Sequence, residues 1–250
     1  MNKIKEFVEI KHQEIEKLNT RDDFRKEFLG NVSHELKTPL FTAQGYILTI
    51  LDNTIKNKKT QKKYLERANA SIERLNFIVK DLDMIANLES GMKLNYETFN
   101  IIKLISDIFE LLEIKAAKKN ITLSFDKVYE YPLLVNADIE RIKQVLINLI
   151  SNSINYGKNN GTTIVSIQMF TKTKFIIKIT DDGIGIEKKH LPRIFERFYR
   201  VDKSRSRDEG GSGLGLSIVK HIIEAHKQHI FVKSEKNIGT TLSFTLNKVI

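Results

Sequence analysis

The sequence predicts an α plus α/β chain built in two parts: a helical hairpin that pairs with a second copy as a four-helix bundle, followed by an α/β sandwich. Three observations lead there. The first ninety residues hold one proline and almost no strand signal, and their apolar residues recur at helical spacing. Beyond residue 93, helical and strand patterns alternate, as they do where helices cover a sheet. Between them "LESGMKLNYETFN" carries Gly91 and a change to mixed β signals. The expected division is therefore a helical linker over 1–20, a hairpin over 21–92 and a sandwich over 93–250.

In the first long helix Phe24, Phe28, Val32, Leu36 and Leu40 recur every four residues and predict one buried stripe. His34 lies about 200° round the helix from Val32, so its imidazole is expected in solvent. After a polar break at "KNKKT", Ala68, Ile72, Leu75, Val79, Leu82 and Ala86 alternate four and three apart, the spacing of a bundle seam. Two helices joined by a short loop make an antiparallel hairpin. One hairpin buries its stripe poorly and two make a bundle, which predicts a two-fold homodimer.

The second part opens with the helical "IIKLISDIFELLEIKAAKK", then the short strands "ITLSF" and "LLVNA". "DIERIKQVLINLISNSIN" reads as a helix capped by Asp138, and "TTIVSIQMF" with "KFIIKIT" as a strand pair. A glycine-rich stretch precedes the helix "LGLSIVKHIIEAH" and the closing strands "HIFVKSE" and "TTLSFTL". No internal repeat is visible.

Composition removes several classes of function. The chain has no cysteine, which excludes disulfides and thiolate metal sites and fits a reducing cytoplasm. Its six histidines show no HxxxH or HExxH spacing. A net charge of +10 suits phosphate ligands or an acidic partner surface, but the lysines are scattered, which argues against nucleic acid. No window approaches the roughly 20 apolar residues that span a bilayer, and the N-terminus lacks the apolar core of a signal peptide. A soluble, cytoplasmic protein is expected.

Four motifs carry chemistry. "DDGIGI", residues 181–186, follows a strand, and its glycines let the backbone turn tightly against a ligand; alone it is a weak signal, since DxGxG occurs often in ordinary turns. "GGSGLGL", residues 210–216, opens a helix, where free N–H groups favour phosphate oxygens; the bland reading is a flexible loop with a cap. Asn148 and Asn152 share one helix face, as a pair of surface amides or as hard oxygen ligands for Mg²⁺. "VSHELKTPL" places His34 beside Glu35, Thr38 and Pro39.

In this order, and with "RIFERFYR" and a terminal "GTT", the motifs resemble bacterial sensor histidine kinases. "VSHELKTPL" is similar to their phosphoacceptor box, and the later motifs to their ATP-binding domain, a Bergerat-type fold shared with gyrase, Hsp90 and MutL. The resemblance covers nearly the whole chain after residue 20. It implies autophosphorylation of His34 with ATP and Mg²⁺, transfer to an aspartate of a response regulator, and phosphatase activity toward that regulator. It makes Glu35 the general base, and Thr38, one turn from His34 on the same face, the residue that orients a water for dephosphorylation. Pro39 frees the Glu35 carbonyl and is expected to bend the helix at the reactive turn.

In the ATP-binding part the resemblance assigns Asp181 to the adenine amino group, Asn152 to Mg²⁺ and Asn148 to the neighbourhood of the phosphates. Arg200 would neutralise charge on the transferring phosphoryl group. Tyr156, Gly183, Gly185, Gly211, Gly213, Leu214, Gly215 and Thr240 complete the implied nucleotide site. "VDKSRSRDEGGS" is the expected lid, with Phe195 and Phe198 either anchoring it or packing in the core. His190, His221, His226 and His229 read as structural or solvated.

Two departures from the family pattern stand out. Asn155 replaces the lysine usual before the tyrosine, with Lys158 or Lys203 as candidates to supply the missing charge. "AHKQHI" lacks the usual glycine, leaving Lys227 to hold a strained turn. A degenerate, non-catalytic dimerisation scaffold is the rival reading, and intact His34, Asn152, Asp181 and glycine loop argue against it.

Overall fold

A computed structural model describes the helical backbone of residues 2–25 and residues 26–52, 55–89, 91, 93–201 and 212–249. The chain divides into two compact units, Met1–Lys80 and Asp81–Ile250. The division falls inside a helix, because Ile85 belongs to the core of the second unit.

The first unit is a hairpin of α1 (Asn2–Leu51) and the greater part of α2 (Lys58–Glu89). Near the loop, Tyr46 of α1 meets Tyr64 of α2 edge-to-face at 5.1 Å. Further from it, Glu35 meets Arg74, so the helices run antiparallel. The polar break is shorter than the sequence suggests: the Asn57 side chain accepts from the N–H groups of Lys59 (2.8 Å) and Thr60 (3.4 Å) and caps α2 within "KNKKT".

The buried faces differ from the predicted stripes. Steps of four residues rotate about 40° each, so a stripe begun at Phe28 drifts off the buried line. Pro39 and Ala43 are buried, whereas Leu40 is 52% exposed. On α2 the buried line runs through Ala68, Ile78 and Ile85, with Ser71, Leu75 and Leu82 half-buried between them. Ile72, Val79 and Ala86, expected in the seam, are exposed. The side chain of Phe24 lies outside the described residues.

The second unit is a five-stranded sheet ordered β2-β4-β5-β7-β6, with α3, α4 and α5 against it. Its elements are α3 (Ile101–Ala117), β2 (Thr122–Phe125), α4 (Ile139–Tyr156), β4 (Thr162–Thr171), β5 (Lys174–Asp181), α5 (Gly215–Ala225), β6 (Ile230–Glu235) and β7 (Gly239–Asn247). Every second residue of the central strands points to the helices: Val165 and Ile167, Phe175, Ile177 and Ile179, Leu242, Phe244 and Leu246 are buried. Against them pack Ile142, Leu146 and Leu149 of α4 and Ile218, Val219 and Ile222 of α5. β2 joins β4 in parallel and all other pairings are antiparallel.

β1 (Glu97–Asn100), which the sequence leaves as mixed signal, pairs with β3 (Leu134–Ala137) as a separate ribbon. A 3₁₀ helix over Lys188–Arg193 was also not anticipated. The cap on α4 is as expected: Asp138 Oδ1 accepts from the Arg141 N–H at 3.1 Å. Lys227 does hold the left-handed turn after α5, at φ 58°.

Candidate functional site

Within the hairpin unit, His34 is exposed and its neighbour Glu35 is half-buried, because successive residues of a helix point about 100° apart. Glu35 Oε2 accepts from Arg74 Nη2 at 3.2 Å. Thr38 is exposed one turn on, and its hydroxyl donates to the His34 carbonyl at 3.2 Å. α1 continues as helix through Pro39, which is buried.

In the second unit Asp181 ends β5, in register with Thr240 on β7. Its Oδ1 accepts from the N–H groups of Gly183 (2.9 Å) and Thr240 (3.2 Å). Oδ2 makes no hydrogen bond among the described residues and is open to an outside donor. Burial pushes this carboxyl above the ordinary range, the two backbone donors oppose the shift, and Asp182 adds to it.

The glycines of "DDGIGI" are steric necessities. A Cβ on Gly183 would lie 2.4 Å from the Tyr156 carbonyl oxygen, and one on Gly185, at φ +64°, would lie 1.9 Å from that of Glu235. The loop is pinned where the Ile184 N–H donates to the Tyr156 carbonyl at 3.1 Å, joining it to the end of α4.

A second cluster forms one turn and more back along α4. Asn148 Nδ2 donates to the Gly215 carbonyl at 3.4 Å, which places it at the start of α5. Asn152 lies between the two clusters, half-buried, and its amide makes no hydrogen bond among the described residues. Gly213 sits at φ +75°, where a Cβ would lie 2.8 Å from Phe198 Cα. The Phe198 N–H donates to the Gly213 carbonyl at 3.0 Å. Leu214 is fully buried. Phe195 and Phe198 are half-buried against the core, as Arg200 is half-buried just beyond them. Gly211 and Lys203 lie outside the described residues.

Among the described residues no group of three or more His, Asp or Glu side chains is placed to hold a metal ion. No helix among them is long and apolar enough to cross a membrane.

The sequence matches two family descriptions. Residues 24–91 match "His Kinase A (phospho-acceptor) domain" and residues 137–250 match "Histidine kinase-, DNA gyrase B-, and HSP90-like ATPase". The solved catalytic domain of histidine kinase ThkA is 32% identical, with TM-score 0.53; the alignment covers 97% of that domain and 62% of this chain. The chain belongs to the sensor histidine kinases.

Two longer alignments cover nearly all of it. Sensor histidine kinase WalK of Bacillus subtilis (strain 168) is 36% identical over 90% of this chain. The chain spans only 37% of the length of WalK. The structure of ThkA in complex with the response regulator protein TrrA superposes with TM-score 0.72 at 29% identity, covering 96% of this chain and 66% of that one.

Several contacts around the two histidine kinase motifs had no signal in the sequence. Arg74 reaches Glu35 across 39 residues, and Ser212 reaches Asp81 across 131. Lys119 donates from beyond α3 to the Asn155 carbonyl. All three depend on helix packing that no local spacing encodes.

Proposed function

We propose that this chain is the catalytic core of a sensor histidine kinase, transferring the γ-phosphoryl group of ATP to His34 and then to an aspartate of a response regulator. The observation that supports it most is the coexistence in one chain of an exposed histidine beside an acid and a second unit whose half-buried Asp181 carboxylate uses only Oδ1 for its bonds to Gly183 and Thr240. Asp181 Oδ2 accepts the adenine amino group, which gives the nucleotide its identity. The start of α5, at Gly213 and Gly215, receives the phosphates through backbone N–H groups, while the Leu214 N–H is held by Ser212 Oγ and fixes the turn.

In the transfer, the lone pair of a neutral imidazole nitrogen forms the N–P bond as the bond from γ-phosphorus to the bridging oxygen breaks, releasing ADP. Glu35 accepts the proton lost by the other ring nitrogen. Arg200 balances charge on the moving phosphoryl group. Thr38, exposed on the His34 turn, orients the water for regulator dephosphorylation.

Mg²⁺, when bound, neutralises phosphate charge and fixes phosphate geometry. Asn152 fits it, because its side-chain oxygen is a hard donor with no other described partner, and Mg²⁺ takes few protein ligands beside phosphate and water. Exposed Leu40, Phe41, Ile72 and Val79 on the hairpin support a homodimer that covers them, and ThkA's complex supports a response-regulator partner. Dependence on ATP supports a cytoplasmic site of action, and the proposed division is a linker over 1–20, a dimerisation and phosphotransfer domain over 21–92 and an ATP-binding domain over 93–250.

The test is incubation of the purified chain with γ-labelled ATP. Acid-labile, base-stable label that disappears in His34→Gln, with ATP binding retained, is the expected result. Label persisting on that variant removes His34 as acceptor, and no label on the unaltered chain favours the scaffold reading.

A further inference from the structure

The turn that opens α5 is held from outside by a residue that no motif marks. Ser212 Oγ donates to Asp81 Oδ2 at 3.0 Å and accepts from the Leu214 N–H at 3.2 Å. A hydroxyl has one proton, so committing it to Asp81 turns a lone pair toward Leu214. On the opposite side the Phe198 N–H holds the Gly213 carbonyl at 3.0 Å. The glycine turn is thus gripped at two points, Phe198 and Asp81, and both grips lie inside the second unit.

Each grip is made at some energetic cost. Phe198, which carries a Cβ, sits in the left-handed region at φ 60°. Asp81 is half-buried, and burial raises its carboxyl above the ordinary range, only partly offset by the bond from Ser212. A half-buried carboxylate maintained beside a phosphate-binding turn opposes the incoming anion electrostatically. Its use must therefore lie in its acceptor atom rather than in its charge.

We infer that Asp81 is a positioning residue for nucleotide binding, acting through Ser212 to fix the turn 212–214 in the form that receives phosphate. This inference rests on the ATP site proposed above. With Asp81 removed, the Ser212 hydroxyl loses its preferred acceptor and rotates, and the turn must be ordered anew each time nucleotide binds. With asparagine at 81 the acceptor oxygen survives and the charge does not.

The experiment is titration calorimetry with Mg²⁺ and ATP on the full chain, beside melting of the same samples. Asp81→Ala and Ser212→Ala are each expected to weaken ATP binding by roughly tenfold, the scale of one charge-assisted hydrogen bond. The double variant should be no weaker than either single one. Asp81→Asn is expected to bind as tightly as the unaltered chain or more tightly, which neither a purely electrostatic nor a merely structural role produces together with loss in Asp81→Ala. Unchanged affinity in Asp81→Ala, additive losses in the double variant, or equal losses in Asp81→Asn and Asp81→Ala would each overturn the inference. If Asp81→Ala does not fold, Ser212→Ala and Asp81→Asn decide the matter alone. Absence of ATP binding by the unaltered chain would overturn the ATP site itself, and the inference with it.

Discussion

Arg74 of α2 holds Glu35 of α1 through an Nη2–Oε2 contact of 3.2 Å, with the two side chains 19% and 21% exposed. The proposed base is therefore anchored to the second helix of the hairpin while the proposed acceptor, His34, stands in solvent beside it.

That pairing separates a chemical role from a structural one. Glu35→Gln is expected to lower the rate of His34 labelling by roughly a hundredfold or more, the range of general base catalysis, with ATP affinity unchanged. Arg74→Met should cost stability instead, with a Glu35–Arg74 coupling of about 1 kcal/mol in a double-mutant cycle. Labelling at full rate in Glu35→Gln would move the base elsewhere.

Thr38 gives a second separation. Its hydroxyl donates to the His34 carbonyl, so its lone pairs stay available to a water. Thr38→Ala should abolish dephosphorylation of a phosphorylated regulator while His34 labelling stays within about threefold, and Thr38→Ser should retain both activities. Parallel loss of labelling would make the hydroxyl a helix feature only.

How far the sequence could be read follows from which contacts are local. Asp138 as a cap, Lys227 in a left-handed turn and the exposure of His34 each depend on neighbours within one or two helical turns, and each was legible. How the α2 stripe divides between its own hairpin and the rest of the expected bundle was not. Ile72 and Val79 belong to the same wide apolar stripe as Ala68 and Ile78, and spacing alone does not say which edge of a stripe faces its own chain. β1 was obscured because Phe99 is its single buried side chain, leaving no alternation to detect. The grip of Asp81 on Ser212 joins two elements far apart in sequence, and nothing short of the packed fold brings them together.

The proposed role of Asp181 is held against stability. Burial raises its carboxyl pKa, so the folded state binds a proton more readily than the unfolded one. Its charged form then works against folding at neutral pH, a cost relieved as pH falls through the folded value toward 3.8. Asp181→Asn keeps an acceptor for Gly183 and Thr240 but offers the adenine amino group a donor in place of an acceptor. It should bind ATP roughly tenfold to a hundredfold more weakly yet melt no lower than the unaltered chain at neutral pH. The difference in melting should narrow as pH approaches 3.8. A variant that loses binding only by losing its fold would contradict this.

His226 sets a limit on the acid side. The ring is 3% exposed, its Nε2 accepts from the Asp138 N–H at 3.1 Å, and its Nδ1 bonds the Ile222 carbonyl at 2.8 Å. Burial lowers its pKa from 6.5, although the Ile222 carbonyl and the Asp138 carboxylate pull the other way. The neutral ring is what the fold accepts, so its contribution is complete above 6.5 and is lost as pH falls below that through the depressed folded value. Chemical denaturation between pH 5 and 7 should show stability falling with pH. His226→Leu should flatten that slope and, by orphaning the Asp138 N–H, cost about 1–3 kcal/mol at neutral pH. An unchanged slope would mean that another group titrates.

The last expectation concerns Asn155, where the family resemblance implies a lysine. At the proposed ATP site a lysine there would add a charge-assisted contact to phosphate, and one such contact is worth about 1.5–3 kcal/mol before screening. The structure adds a competitor that the sequence did not suggest. Lys119 donates its ammonium to the Asn155 carbonyl, so a positive charge already lies at this end of α4. Lys158, by contrast, donates to the Asn237 carbonyl at 3.0 Å. Two ammonium groups at one helix end repel, which removes part of the gain. Asn155→Lys should therefore tighten ATP binding by about threefold rather than tenfold, and the same substitution in Lys119→Ala should recover the larger effect. Lys119→Ala alone should weaken binding if its charge serves the phosphates, and leave it unchanged if the lysine only caps the helix. Calorimetry on the three variants distinguishes these outcomes, and weaker binding in Asn155→Lys than in the unaltered chain would show that the asparagine makes a contact of its own.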